Sequence, residues 1–312
     1  MGVLAAEPLA EQLGSALVIG VITGAVYSLL AVGIVLVYKA SGVFNFAQGE
    51  FGTVAVYLTY VASDDTYWGL PFGIALVIGL VGAVAFGLVT ERLVIRPLFD
   101  APRVTLLVAT AGVALFAIGL QFWRFNDPAV RPFPAISAES ARIDVLGISI
   151  SDQRLLILLT LAVLVVVLVA FFRSPLGLAV LASSQEPIAS ELVGISVRRI
   201  SSLTWALAAL FGALAGILQA APNGGTGAFQ PGFLTFGGSG ALIPGFTAAV
   251  LGGMGSLPGA VGGGIIIGIV EALGGLSLFE ELPGARSVMV FAILLLVLLV
   301  RPQGLFVRNA TT

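Results

Sequence analysis

The sequence contains no cysteine and no histidine, and Lys39 is its only lysine. Without these residues the chain forms no disulfide, has no thiolate nucleophile, offers no Cys/His metal site and cannot use histidine for acid–base catalysis. No metal site is predicted. The phosphate-binding motif G-x-x-x-x-G-K-[ST] does not occur, and Lys39 follows no such glycine-rich loop. The chain therefore does not hydrolyse ATP by a P-loop mechanism.

Charge is also scarce, because only 10% of the 312 residues are charged whereas 58% are hydrophobic. The mean hydropathy of +1.11 corresponds to more apolar surface than a soluble core of this size buries. The run Leu155–Phe172 is interrupted only by Thr160, as a membrane-spanning helix requires, and the alternation of a barrel strand is not found. The composition predicts an all-α, polytopic transmembrane helical bundle that forms one domain over residues 1–312.

The apolar segments predict eight to ten spans. Glycines and Pro258 interrupt the region Ala241–Gly275, which predicts a broken or re-entrant segment buried in protein or lining a cavity. The other predicted spans are Ser15–Tyr38, Phe51–Ala62, Leu70–Thr90, Val104–Trp123, Ser202–Ala221 and a short run between Arg286 and Arg301. Glycine pairs four residues apart predict close helix contacts, at Gly20/Gly24, Gly212/Gly216 and Gly264/Gly268.

Arginine is concentrated in the loops Glu91–Arg103 and Arg173–Arg199 and after Arg301. The loop Arg124–Arg154 also holds arginines, but acids accompany them. Positively charged loops favour the cytoplasm, which predicts an amino terminus outside and a carboxyl terminus inside if Ala241–Gly275 crosses the membrane twice.

The stretch NFAQGE, Asn45–Glu50, sets two amides and an acid between strongly apolar segments. A carboxylate at membrane depth costs roughly 2.5 to 3.5 kcal/mol on insertion scales, so it normally faces water or a partner. If the stretch is helical, Asn45, Gln48 and Gly52 share one face. We predict that this face, with Glu50 and the acid Glu271 of the broken region, lines a polar path. The alternatives are that Asn45 and Gln48 cap or hydrogen-bond neighbouring helix ends, and that Glu50 forms a salt bridge to Lys39 or to an arginine of a neighbouring loop.

The loop Arg173–Ser201 is amphipathic rather than merely polar. Pro175 and Pro187 suit the first turns of helices and Gly194 suits a helix end, which predicts two short helices that meet near Glu186. Together with Glu191, this element presents an apolar ridge edged by acids. It is interpreted either as a partner-docking surface or as an ordinary loop between helices.

Several segments, in the same order, resemble the permease subunits of branched-chain amino acid ABC importers, the LivH family. They are GAVYSLLAVGIVLVYKASGVFNFAQGEFG, the block ending in GISVRRISSLTWALAALFGALAGIL, AAVLGGMGSLPGAVGGGIIIGIVEAL, and the closing RPQGLF. The resemblance covers most of the chain apart from Arg124–Arg154.

This resemblance implies a multi-pass subunit of a bacterial cytoplasmic membrane that works with a second, related permease, two cytoplasmic ATPases that bind ATP, and an extracytoplasmic substrate-binding protein. The chain itself would bind no cofactor and no nucleic acid, and it would contact membrane lipid in addition to its protein partners. The resemblance also implies that QEPIASELVGI is an ATPase-coupling segment. The residues of this segment that we assign to coupling are Glu186, Pro187, Glu191, Gly194 and Ile195. The sequence departs from the family pattern at Leu181 and Gln185, where a basic residue and an acid are usual, which weakens a salt-bridge account of docking.

Two other functions compete with an importer of branched-chain amino acids. Permeases of similar sequence import urea or short-chain amides, and an ATP-independent channel or secondary transporter also contains broken helices and amphipathic loops. An intramembrane enzyme is disfavoured, because the spans contain no acid pair, serine–lysine dyad or metal cluster.

Overall fold

The computed structural model describes residues 9–125, 130–134, 142–145, 148–221, 226–235, 240–279, 282–301 and 303–306. Within these ranges the chain is helical apart from short loop strands, which confirms the predicted all-α class. The α-helices are α1 (Leu9–Ser41), α2 (Gln48–Ser63), α3 (Phe72–Thr90), α4 (Arg103–Phe125), α5 (Asp152–Arg173), α6 (Pro175–Gln185), α7 (Pro187–Leu192), α8 (Val197–Ala220), α9 (Leu242–Gly252), α10 (Leu257–Leu273) and α11 (Ala285–Val300). The strands β1 (Arg131–Pro132) and β4 (Ala228–Phe229) pair antiparallel, as do β2 (Arg142–Val145) and β3 (Ile148–Ser151).

Among the described residues, five helices are long and apolar enough to cross a membrane, namely those within Glu11–Ser41, Phe72–Leu98, Arg103–Arg124, Asp152–Arg173 and Val197–Ala220. Three shorter apolar helices, α9, α10 and α11, accompany them. With its 16 residues, α11 is about 24 Å long, shorter than the ~30 Å hydrocarbon layer. The chain is a multi-pass membrane protein.

Helix α1 is the centre of the bundle and packs against α5, α8, α9 and α10. Its inner half is buried almost completely, from Ala25 to Val37. By contrast, α5 buries only three side chains, Gln153, Ile157 and Leu168. The side chains of α5 are apolar on every face of the helix, so most of its surface is available to contact lipid.

Helices α1 and α10 touch through their backbones, as the glycine spacing predicts. A β-carbon added at Gly24 would lie 2.7 Å from both the carbonyl oxygen of Gly264 and the Cα of Ile265. One added at Gly20 would lie 2.6 Å from the Cα of Ile269. Only glycine permits this separation, because the obstructing atoms belong to the partner backbone and cannot rotate away.

We therefore expect Gly24→Ala to lower the stability of the purified protein by about 1–3 kcal/mol, the usual cost of overpacking. The matched control is Gly112→Ala in α4, where an added β-carbon meets nothing within 4 Å. Thermal unfolding in detergent measures the difference. Equal midpoints for the two variants would contradict the close contact between α1 and α10.

The arginine-rich loops gather at one end of the bundle. Arg96, just after α3, donates to Ser202 near the start of α8, with an Nη2–Oγ distance of 2.8 Å. Lys39, near the end of α1, donates to the carbonyl oxygen of Gly255 between α9 and α10 (2.9 Å). This grouping agrees with the predicted orientation, in which these loops face the cytoplasm.

The glycine-interrupted region is a pair of antiparallel helices. Helix α9 ends at Gly252, Gly253 has φ +93°, and α10 begins at Leu257 after Ser256, whose Oγ accepts from the Gly259 amide (3.0 Å). A β-carbon at Gly252 would lie 2.7 Å from the Ala260 nitrogen, so the two helices lie against each other near the turn. The predicted broken segment is confirmed.

Helix α2 also starts inside the bundle. The Gln48 amide reaches the carbonyl of Ala208, which lies eleven residues, or about 16 Å, into α8. The start of α9 is close to the same place, because Leu242 Cβ would lie 3.6 Å from a β-carbon at Gly49. Two helix amino termini therefore meet within the bundle, a point that we call the central break.

Candidate functional site

The stretch that precedes the central break is a turn and not the first part of a helix. Asn45 Oδ1 accepts a hydrogen bond from the Ala47 amide (3.0 Å), and its Nδ2 donates to Gln48 Oε1 (3.2 Å). The helix begins only at Gln48. Asn45, Gln48 and Gly52 therefore do not form one continuous helical stripe. Asn45 bonds to the Ala47 amide at the start of α2, which agrees with the alternative that the amides hydrogen-bond helix ends, although no side chain caps α2.

Gln48 and Gly52 are buried against α8. Gln48 Nε2 donates to Ala208 O at 2.8 Å. A β-carbon at Gly52 would lie 2.6 Å from the carbonyl oxygen of Gly212, which makes Gly52 a position of close packing between α2 and α8. All of these contacts are with protein, and a path-lining role for Asn45, Gln48 and Gly52 stays a prediction.

Glu50 is completely buried and joins three parts of the chain. Its Oε1 accepts from the Thr235 hydroxyl at 2.6 Å, and its Oε2 accepts from Gln121 Nε2 at 2.9 Å. The other amide atom of Gln121, Oε1, accepts from the Gly232 amide at 3.1 Å. Helix α2, helix α4 and the segment before α9 are thus tied together through one carboxyl group. Lys39 bonds elsewhere, so the predicted alternative of a Glu50–Lys39 ion pair is wrong.

The position of Glu50 explains how an acid is tolerated at this depth. Glu50 lies in the first turn of α2, where the positive end of the helix dipole stabilises a carboxylate. The start of α9 lies nearby, because the Leu242 amide donates to the carbonyl oxygen of Leu234 (2.9 Å), the residue next to Thr235. The two helix amino termini and the two hydrogen-bond donors therefore compensate for the hydration that the carboxyl group of Glu50 loses on burial.

An apolar cavity of about 410 Å³ lies beside the central break. Thr235 belongs to its lining, so the Glu50 hydrogen bond is directly behind one wall. Phe46 and Phe246 stack on another side, with ring centroids 5.8 Å apart and planes at 11°. The remaining lining comes from α4, α9 and α11 and is apolar except for Thr247. The cavity suits an apolar group near one or two hydroxyls.

Glu271 lies elsewhere, near the end of α10. It lines a separate pocket of about 120 Å³ together with Gln12 and Arg286. The structure does not bring Glu50 and Glu271 to one surface. In the described ranges, no three Asp or Glu side chains are grouped as a metal site would require.

The amphipathic loop forms two short helices, α6 and α7, with Pro175 and Pro187 in their first turns as predicted. Gly194 has φ +86°, and its amide donates to Glu191 O (3.0 Å) while the Ile195 amide donates to Ser190 O (2.9 Å). These two bonds form a Schellman motif, which ends α7 with a left-handed residue.

The surface of α7 is strongly apolar and exposed. The side chains of Ile188, Leu192 and Val193 are 77%, 84% and 76% exposed. Glu186, Pro187 and Glu191 are exposed around them, and Ile195 is half-buried. An apolar ridge at the end of a bundle, rimmed by acids, is typical of a protein-docking surface.

Sequence patterns missed Thr235 and Gln121, the two partners of Glu50. They are 185 and 71 residues away from it in the chain. An amide in the apolar helix α4 and a threonine next to a glycine-rich segment were the available signals. Phe46 and Phe246 of the cavity were missed because aromatic residues are common in membrane helices.

The family described as "Branched-chain amino acid transport system / permease component" matches residues 16–299. The chain is 33% identical over 301 residues to the high-affinity branched-chain amino acid transport system permease protein LivH of Escherichia coli K12, covering 93% of this chain and 94% of LivH. It is 31% identical to BraD of Pseudomonas aeruginosa, with 94% and 95% coverage, and 26% identical to LivM of Escherichia coli K12, with 90% and 67% coverage. PsaBC from Streptococcus pneumoniae in complex with Fab aligns with a TM-score of 0.49 at 15% identity, covering 94% and 92%, which is too distant to support an argument.

The match to the family spans nearly the whole membrane bundle, including the central break and the α6–α7 element. The chain therefore belongs to the branched-chain amino acid transport system permease family.

Proposed function

We propose that the chain is a transmembrane permease subunit of an ATP-driven importer that moves branched-chain amino acids across a bacterial cytoplasmic membrane. The observation that carries this proposal is the apolar cavity at the central break, in a chain whose relatives are permeases for these amino acids. The cavity combines a mostly apolar wall with the hydroxyls of Thr235 and Thr247. Such a lining suits a branched aliphatic side chain better than a small polar solute.

The partners proposed for this subunit are a second permease, two cytoplasmic ATPases and an extracytoplasmic binding protein. Similarity to both LivH and LivM of one organism supports a pair of related permeases. The ATPases would bind the ATP, since the chain contains no P-loop. The exposed ridge of Ile188, Leu192 and Val193 is the surface proposed to dock into an ATPase.

The alternative substrates are urea and short-chain amides, and the alternative mechanism is ATP-independent transport. Both are tested by uptake into liposomes that contain either the full complex or this chain alone. We expect ATP-dependent leucine uptake by the complex, competition by isoleucine and valine but not by urea or acetamide, and no uptake by the chain alone. Leucine uptake by the chain alone would end the ATP-driven proposal, and a clear preference for urea would replace the substrate.

A further inference from the structure

A small polar pocket lies between the outer half of α1, the end of α10 and the start of α11. It has a volume of about 120 Å³ and is separate from the cavity at the central break. One wall carries the carboxyl group of Glu271 and another carries the guanidinium group of Arg286. Ile19 and Leu276 supply apolar surface, and Gln12 lies at the α1 side. The pocket thus combines a carboxyl group, a cationic guanidinium group and an apolar surface within a small volume.

Glu271 has an unsatisfied oxygen in this pocket. Its Oε2 is buried and has no hydrogen-bond partner in the described chain, while the Tyr27 hydroxyl faces the same carboxyl group. A buried carboxyl oxygen without a partner costs about 1–3 kcal/mol or more, so such an atom is usually matched by a ligand, an ion or water. A cationic group in the pocket would satisfy it.

Arg286 lies in the first turn of α11 and is solvent-exposed. No carboxylate of the described residues lies within 4.0 Å of it, since the one ion pair among them joins Glu91 and Arg96. The guanidinium lies against Gly275, where an added β-carbon would be 2.7 Å from Nη2. Glycine at this position leaves room for the guanidinium beside the pocket. An arginine so placed binds a carboxylate through paired hydrogen bonds.

We propose that this pocket binds the zwitterionic head of an α-amino acid, with the ammonium group at Glu271 and the carboxylate at Arg286. The aliphatic side chain of the ligand then lies against Ile19 and Leu276. This inference rests on the proposed function for the choice of an apolar amino acid as ligand. In the predicted orientation the pocket is on the extracytoplasmic side, so it receives the amino acid before the central break does.

The test measures binding of radiolabelled leucine to the purified permease–ATPase complex without the binding protein. Leucinamide, which lacks the carboxylate, and 4-methylpentanoate, which lacks the ammonium group, serve as competitors. We expect Arg286→Gln to weaken leucine binding at least tenfold and to leave leucinamide binding unchanged, because only the carboxylate contacts Arg286. Glu271→Gln should weaken leucine and leucinamide by a similar factor and leave 4-methylpentanoate unchanged.

Two further variants make the result specific. Gly275→Ala keeps both charges but displaces the guanidinium, so it should weaken leucine binding by less than Arg286→Gln does. Asp65→Asn removes an exposed acid after α2 that lines neither the pocket nor the cavity, and it should not change leucine binding. Thermal unfolding of each variant complex identifies any that fail to fold.

Unchanged leucine affinity in folded Arg286→Gln and Glu271→Gln complexes would overturn the proposal. Equal losses of leucine and leucinamide in Arg286→Gln would do the same, because the arginine would then not recognise the carboxylate. The proposed function is tested separately, by leucine uptake into liposomes. If liposomes with either variant complex take up leucine as well as wild-type liposomes do, the proposed importer function is kept and this site is rejected. Uptake of urea instead of leucine rejects the importer substrate itself.

Discussion

Replacing Glu50 with alanine is expected to destabilise the complex and abolish transport. The change removes the acceptor of two buried donors, the Thr235 hydroxyl and Gln121 Nε2, which bond to Glu50 at 2.6 and 2.9 Å. Each buried polar group left unpaired costs about 1–3 kcal/mol, and the lost side chain leaves a cavity as well. The segment before α9 loses its tie to α2, so the wall of the cavity at the central break is expected to loosen.

Glu50→Gln separates the charge of this residue from its packing. Glutamine keeps the volume and can accept from Gln121 while it donates to the Thr235 oxygen. The change removes the negative charge near the starts of α2 and α9, an interaction worth up to about 2 kcal/mol in a buried setting. If the gate loses this interaction when it opens, removing the charge changes the energy difference between the closed and open forms by up to this amount. We expect transport to fall by roughly tenfold, which corresponds to about 1.4 kcal/mol of barrier, with little loss of folded complex.

ATP-dependent leucine uptake and the amount of complex in the membrane are measured together. Thr59→Val is the matched control, because Thr59 is also a fully buried polar residue of α2, but its hydroxyl donates within its own helix, to the carbonyl oxygen of Ala55 (2.8 Å). Normal transport by both Glu50 variants at equal abundance would show that Glu50 is outside the path and its gate. Loss of both variants from the membrane would show that its role is structural.

Helix ends and close helix contacts could be predicted from residues within a few positions in the sequence. Pro175, Pro187 and Gly194 fixed the ends of α6 and α7 correctly, because first-turn prolines and left-handed glycines act within a few residues. The glycine pairs that include Gly24 predicted a close contact because their spacing alone leaves a groove along the helix. Neither prediction required knowledge of the partner helix.

The site at the central break was predictable only in part. Glu50 was found because an acid near an apolar span is rare, but no sequence pattern links it to Thr235 or to Gln121. The shared face of Asn45, Gln48 and Gly52 depended on a helix over the whole stretch, and that condition is not met at Asn45, because its side chain bonds to the Ala47 amide and holds a turn there. Glu50 and Glu271 were assigned to one path, whereas Glu50 is buried behind a wall of the cavity at the central break and Glu271 lines a separate pocket. Tertiary packing determines which residues that are distant in the sequence come together.

A second large effect is expected at the α6–α7 element. The double substitution Ile188→Asp/Leu192→Asp places two charges on side chains that are 77% and 84% exposed, so the fold of this chain should not change. In an ATPase cleft the same charges would be desolvated without partners, at a cost of about several kcal/mol per ion. We expect the ATPases to be lost from the purified complex and ATP-dependent transport to fall to background.

The matched control for this change is Leu278→Asp, because Leu278 is 66% exposed and lies near the opposite end of the bundle, after α10. It should leave co-purification of the ATPases unchanged. Retention of the ATPases by the Ile188→Asp/Leu192→Asp variant would refute docking through this ridge.

Gly194 tests whether the shape of the same element matters as well as its surface. At φ +86° a β-branched residue is strained, although an added β-carbon would meet nothing within 4 Å. Gly194→Val is therefore expected to act through the backbone alone, breaking the Schellman motif at a cost of about 1–2 kcal/mol and shifting Ile195. Both assembly with the ATPases and substrate-stimulated ATP hydrolysis should fall. Gly194→Asn, which tolerates the left-handed conformation, should restore most of both activities. Equal activity of the valine and asparagine variants would mean that the end of α7 does not transmit the movement of the ATPases.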